Sequence, residues 1–175
     1  MKIYRITKKQ YKDSYDGIGG TRVLGRWHHK PVPILYASQA TILSAAEMIV
    51  NATVLPRNRY VQVVDIPDKE IISYSDVKGA RLSKNWNKEP MHPSCHKISM
   101  KWMGSNYAAM LAPSTLTPTE MNVLINPEYF DDRWIAQRPF IYDFDPRMAI
   151  SLKGQPDGKA SQTKKIIQHL RKVNQ

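Results

Sequence analysis

Ahead of its basic tail, the chain has one segment with a clear helical rhythm and several with the rhythm of strands. In residues 39–52, Ile42, Leu43, Ala46, Ile49 and Val50 recur at helical spacing, and Ser38 stands where an N-cap belongs. The opening KIYRI alternates instead, with Ile3 and Arg5 on one side and Tyr4 and Ile6 on the other. Pro31 and Pro33 bracket the entry to an apolar run, residues 32–37, that reads as a buried strand. Further strands are expected at residues 60–66, with 71–74 extending the sheet, and at 108–112, 122–125 and 140–144. Residues 78–103 are polar and broken by proline, so loops with at most a short helix are expected there. One helix among many strands predicts an α+β class.

The 175 residues are 42% hydrophobic, enough for the core of one compact domain. The start, MKIYRITKKQ, lacks the apolar centre of a signal peptide, and no apolar run has the length to cross a bilayer. A single cysteine, Cys95, excludes an internal disulfide and fits a reducing compartment. A cytoplasmic protein with no membrane partner is expected.

Charge is the unusual bulk property: 26 Lys+Arg against 15 Asp+Glu, a net of +11. Residues 150–175 carry six basic residues and one acid, hence +5, and residues 1–149 carry the other +6. Such a balance suits nucleic acid, phosphorylated small molecules or an acidic protein. Within the tail, Gly154, Pro156 and Gly158 form a linker-like break, and Ser161 can cap a helix. Its stripe would be Ile166, Ile167, Leu170 and Val173, with Lys164, Lys165, Arg171 and Lys172 largely off it. Docking on the domain's own surface is the first reading of that helix, a partner protein the second, nucleic acid the third.

Three constellations bear on chemistry. Glu47 lies four residues after Leu43 and three before Val50, so its carboxylate joins an apolar helix face. Burying it there is costly unless it is paired or hydrogen-bonded, and an ion pair with a nearby arginine is the plainest explanation. Arg26 sits in GGTRVLGRW, where glycines let a ligand approach the backbone and a guanidinium fork can hold phosphate or carboxylate. That loop matches neither a Walker A nor a dinucleotide-binding fingerprint. HPSCH clusters His92, Cys95 and His96, but a fourth zinc ligand would have to come from His28 or His29 at no telling spacing, so no metal is expected. No GxSxG elbow supports a serine hydrolase.

Together these blocks resemble the RES domain, the toxin half of bacterial Xre–RES toxin–antitoxin pairs. The arginine block is GGTRVLGRWHHKPVPILYAS, the glutamate block TILSAAEMIV, the serine block LAPSTLTPTEMNVLINP, and the closing block FDPRM. Their order and spacing agree over residues 1–149, leaving 150–175 as a basic extension. The resemblance implies a sheet core like that of ADP-ribosyltransferases, mixed or antiparallel, with flanking helices. It places the family's arginine at Arg26, its tyrosine at Tyr36, its glutamate at Glu47 and its serine at Ser114, with Arg5 as a second phosphate-holding arginine. It departs from the common pattern at His28, where many members have Asn, and at Asn51, where many have His. Tyr129 also stands where a His often follows Asn-Pro.

The implied activity consumes NAD by breaking the nicotinamide–ribose bond, with phosphate or water as acceptor, or transfers ADP-ribose to a protein. Glu47 would stabilise the positive charge that develops on the ribose, Arg5 and Arg26 would grip the pyrophosphate, and Tyr36 would offer nicotinamide a flat face. Ser114 would orient nicotinamide or ribose by one hydrogen bond, not as a nucleophile. The implied partners are a Xre-type antitoxin, NAD and inorganic phosphate, with a homodimer left open and no direct nucleic-acid contact. A basic nucleic-acid-binding module is the rival from another class; it would show steep salt dependence and no NAD loss.

Overall fold

The computed structural model describes residues 1–149. The alternating opening becomes β1 (Lys2–Lys8), and the glycine-rich segment after it contains a short helix, α1 (Ile18–Arg22). Next come β2 (Leu35–Ser38), α2 (Thr41–Val50), β3 (Arg59–Asp65) and β4 (Ile71–Ser73). They are followed by α3 (Pro93–Met103), β5 (Ala109–Pro113), β6 (Met121–Ile125) and β7 (Ile135–Tyr142). The seven strands form one sheet in the order β4-β5-β6-β2-β1-β3-β7. Only β4 and β5 pair in parallel; the other neighbours are antiparallel. This is the α+β class expected, with the mostly antiparallel core that the resemblance implied.

Because strand side chains alternate, the sheet has two different faces. Ile3, Leu35, Ala37, Val64, Val123 and Ile125 build the core on one of them, roofed by Phe130 and Trp134. On the other, α2 lays Ala45 and Ile49 against Ile6, Val61 and Val63. Beside it, α3 packs Cys95, Ile98 and Trp102 with Met110 and Leu124. Each large apolar side chain so covered is worth about 1.5–3 kcal/mol.

One irregularity of the sheet positions the site. β1 pairs with β3 along all seven residues, from Lys2↔Asp65 to Lys8↔Arg59. Against β2 it makes a single registered pair, Tyr4↔Ser38. Beyond that pair the two strands diverge, and a cleft opens between Ile6–Lys8 on one side and Tyr36–Ser38 on the other.

Several expectations are corrected. Ser38 does not cap α2: the cap position is Ala40, without a side-chain bond, and the Ser38 hydroxyl donates to Asn122 Oδ1 instead. Two members of the expected stripe, Ile42 and Val50, stand at the two ends of α2 and are exposed at 61% and 38%, while Leu43, Ala45 and Ile49 between them are buried. The segment expected to be mostly loop holds α3, eleven residues long, capped by the His92 ring and opened by Pro93. Strand β2 begins only after Pro33, since a residue without an N–H cannot hold a ladder bond. β7 starts earlier than expected and contains Pro139, which is tolerated because β7 is an edge strand. The expected tail helix lies outside the described residues. Among those described, no helix is long and apolar enough to cross a membrane.

Candidate active site

Glu47 leaves α2 on the side that overlooks the cleft. The Ser114 hydroxyl, just past the end of β5, donates to Glu47 Oε1 at 2.7 Å. The Asn122 amide, from β6, donates to the same oxygen at 2.6 Å. Asn122 is held in turn, because its Oδ1 accepts from Ser38 at 2.7 Å. Ser114 is fully buried, and its Oγ accepts from the backbone N–H groups of Leu116 and Thr117 at 3.1 and 3.4 Å. The carboxylate thus has neutral anchors, and among the described residues it takes part in no ion pair. The arginine partner that the sequence made plausible is absent there.

Tyr36 projects from β2 into the same cleft. Its hydroxyl accepts from the Trp27 N–H at 3.3 Å and lies 2.8 Å from His28 Nδ1. His28 Nε2 faces two carbonyls, Gly20 and Val23, each at 3.0 Å. Carbonyls only accept, so the proton sits on Nε2, and Nδ1 accepts from the Tyr36 hydroxyl. Burial holds the phenol well above its ordinary range and lowers the His28 pKa, the two carbonyls opposing that shift. His28, the departure noted above, therefore fixes the tyrosine. Gly25 makes room for both rings: a Cβ there would lie 2.5 Å from His28 Nδ1 and 2.8 Å from the Tyr36 oxygen.

Arg26 also lines the cleft, and it is tied down. Nη1 donates to the carbonyls of Trp86 and Lys88 at 2.7 and 3.2 Å, and Nη2 to Glu89 Oε1 at 2.6 Å. The cleft, about 1050 Å3, thereby brings Arg26, Tyr36 and Glu47 together, with Ser114 directly behind the carboxylate. Asn51 lines it as well, its amide donating to the Glu47 carbonyl at 3.1 Å.

Arg5 is placed elsewhere. Tyr4 and Ile6 pack on the α2 side, so Arg5 between them faces the opposite side, where it donates to Gln62 Oε1 and to the Ser14 carbonyl. Burial pulls its pKa down to about 10, which leaves it cationic at neutral pH. Tyr129 is an exposed residue in the turn after Pro127. The HPSCH residues serve the scaffold. His92 caps α3, His96 Nε2 donates to the Gly25 carbonyl at 2.8 Å, and burial raises the pKa of the Cys95 thiol. Among the described residues, no three potential metal ligands come together.

Asn122 and Glu89 are the two contributors that reading the sequence missed. Asn122 begins a run of buried apolar residues whose two-sided burial hides which way the amide points. Glu89 lies in a proline-flanked loop and reaches Arg26 across 63 residues of chain.

Known proteins resemble this chain in sequence and in fold. A toxin named "Prs ADP-ribosylating toxin" from Sphingobium sp. (strain YBL2) is 33% identical over 140 residues, covering 78% of this chain and 87% of that protein. "Toxin Res" from Yersinia enterocolitica is 30% identical over 155 residues, covering 85% of this chain and 99% of that one. The solved Mycobacterium tuberculosis MbcT–MbcA toxin–antitoxin complex contains a chain of the same fold, with a TM-score of 0.56 at 13% identity, covering 88% of this chain and 89% of that one. Residues 2–145 match the sequence profile of the RES domain, and with the split sheet, the Arg26–Tyr36–Glu47 cleft and these relatives in view, the chain belongs to the RES domain family.

Proposed function

We propose that this protein is a cytoplasmic toxin that breaks the nicotinamide–ribose bond of NAD. The observation that carries the reading is the Glu47 carboxylate, held through Oε1 by Ser114 and Asn122 in the same cleft as Tyr36 and Arg26. In the reaction the C–N bond breaks and its electron pair goes to nicotinamide, which leaves as a neutral base. The ribose becomes oxocarbenium-like, and a fixed carboxylate stabilises that charge more than it stabilises the ground state. Ser114 and Asn122 act as positioning residues, since both contact Glu47. Tyr36, with its hydroxyl locked by His28, offers the nicotinamide ring a flat, immobile face. An oxygen of phosphate or water then attacks the anomeric carbon and releases its proton, giving ADP-ribose 1″-phosphate or ADP-ribose.

A second reading, transfer of ADP-ribose to a protein side chain, is favoured by the name of the 33%-identical Sphingobium relative. For either chemistry we propose a cognate antitoxin of the Xre type that covers the cleft, supported by the toxin–antitoxin complex of the structural neighbour. Labelled NAD incubated with purified protein, with and without phosphate, tests the reading. Free nicotinamide with ADP-ribose or its 1-phosphate is the expected outcome. Label on protein selects the second reading, and unchanged NAD rejects both.

A further inference from the structure

The cleft has a cationic end that the residues above do not use. Lys8 and Arg59 are Cα partners in the β1–β3 ladder, and both line the cleft. They continue the alternation of Ile6 and Val61, so they point to the α2 side, the face that carries Tyr36 and Glu47. Like charges set directly opposite on paired strands repel. Neither cation has an ion-pair partner among the described residues. The Arg59 guanidinium is also incompletely satisfied: Nη1 donates to the Arg57 carbonyl, but Nε is buried with no hydrogen-bond partner. A buried donor on a cation without a partner is costly to keep.

The two arginines that the family resemblance offered for phosphate are poorly disposed for it. Arg5 lies across the sheet on Gln62, and Arg26 is committed to two carbonyls and Glu89. We propose that Lys8 and Arg59 form the anion subsite of the cleft and take phosphate groups. The phosphate would be either the pyrophosphate of the bound dinucleotide or the free phosphate acceptor. The inference rests on the NAD reading for the identity of the ligand, and on the two cations alone for its chemical class. The Glu47 carboxylate, which unlike Glu89 takes part in no ion pair among the described residues, and the two cations then set the direction in which a dinucleotide lies. Its ribose bond is over Glu47 and its phosphates are toward the open end of β1.

The test separates the two sources and keeps the subsite distinct from the reaction. Pyrophosphate and inorganic phosphate are titrated calorimetrically into the wild-type chain, Arg59→Gln and Lys8→Gln, with melting temperatures measured alongside. Each substitution removes a charge-assisted bond and is expected to weaken pyrophosphate or phosphate binding roughly tenfold. If the dinucleotide's phosphates occupy the subsite, the KM for NAD rises by a similar factor with kcat nearly unchanged. If the acceptor occupies it, half-saturation by phosphate rises and the KM for NAD does not. Arg59→Lys keeps the charge and is expected to retain most of the affinity, which guards against a glutamine variant that folds poorly. Equal anion affinity in the folded variants, or no binding of either anion by the wild-type chain, overturns the subsite. Anion binding needs no turnover, so intact binding with no NAD loss rejects the proposed reaction and leaves the subsite standing.

Discussion

The buried Ser114 hydroxyl and the Glu47 carboxylate are 67 residues apart in sequence and 2.7 Å apart in space, with the serine donating. Removing that hydroxyl leaves the carboxylate held by Asn122 alone and leaves the N–H groups of Leu116 and Thr117 without their acceptor. Ser114→Ala is expected to cost about 1–3 kcal/mol of stability. We expect kcat to fall about 10- to 100-fold while the KM for NAD stays within a small factor, since a 1 Å misplacement of a catalytic group can cost that much. Steady-state kinetics with a melting curve checks both, and a rise in KM alone would place Ser114 on the ligand instead.

Gly25 touches the Tyr36–His28 pair so closely that a methyl group cannot enter without moving one ring. Gly25→Ala is therefore expected to destabilise the fold by about 1–3 kcal/mol through overpacking. It should also raise the KM for NAD, because the tyrosine face shifts. Chemical denaturation and NAD kinetics on the same preparation test this. Gly19 has open space around its would-be Cβ, and Gly19→Ala serves as the control that should do neither.

His28 makes stability depend on pH. Burial, aided by the charges of His96 and His29, holds its pKa below the ordinary 6.5. The unfolded chain therefore binds more protons than the folded one as pH drops below that value. The resulting stability is complete above pH 6.5 and is lost as pH falls through the folded pKa. Protonation would also turn Nδ1 from acceptor to donor, displacing the Tyr36 hydroxyl proton. Urea unfolding at pH 7.5 and 5.5 should show lower stability at the acid value. In His28→Asn that difference should shrink. The lowered carboxylates Asp16, Asp131 and Asp145 titrate at more acid pH and do not confound the comparison.

What was legible in the sequence had short-range causes. The α2 segment announced itself by spacing, and Glu47 by standing on that helix's apolar side. The alternation in KIYRI already set Arg5 apart from Tyr4 and Ile6; what it could not say was which side α2 would cover. That choice depends on packing between distant elements, and it decided that Arg5 meets Gln62, not the cleft. Helix α3 was hidden because Ser94, His96 and Ser99 interrupt the Cys95–Ile98–Trp102 stripe, although all of them are buried. Asn122 and Glu89 were hidden because their partners lie 75 and 63 residues away.

The central claim is that the negative charge of Glu47 carries the chemical step. Glu47→Gln keeps the shape of the side chain and an oxygen for Ser114 and Asn122, and removes only the charge. With NAD consumption followed by release of nicotinamide, the variant is expected to lose at least about 10²- to 10³-fold in kcat, at an unchanged melting temperature. A folded Glu47→Gln protein that releases nicotinamide at the wild-type rate would contradict the account.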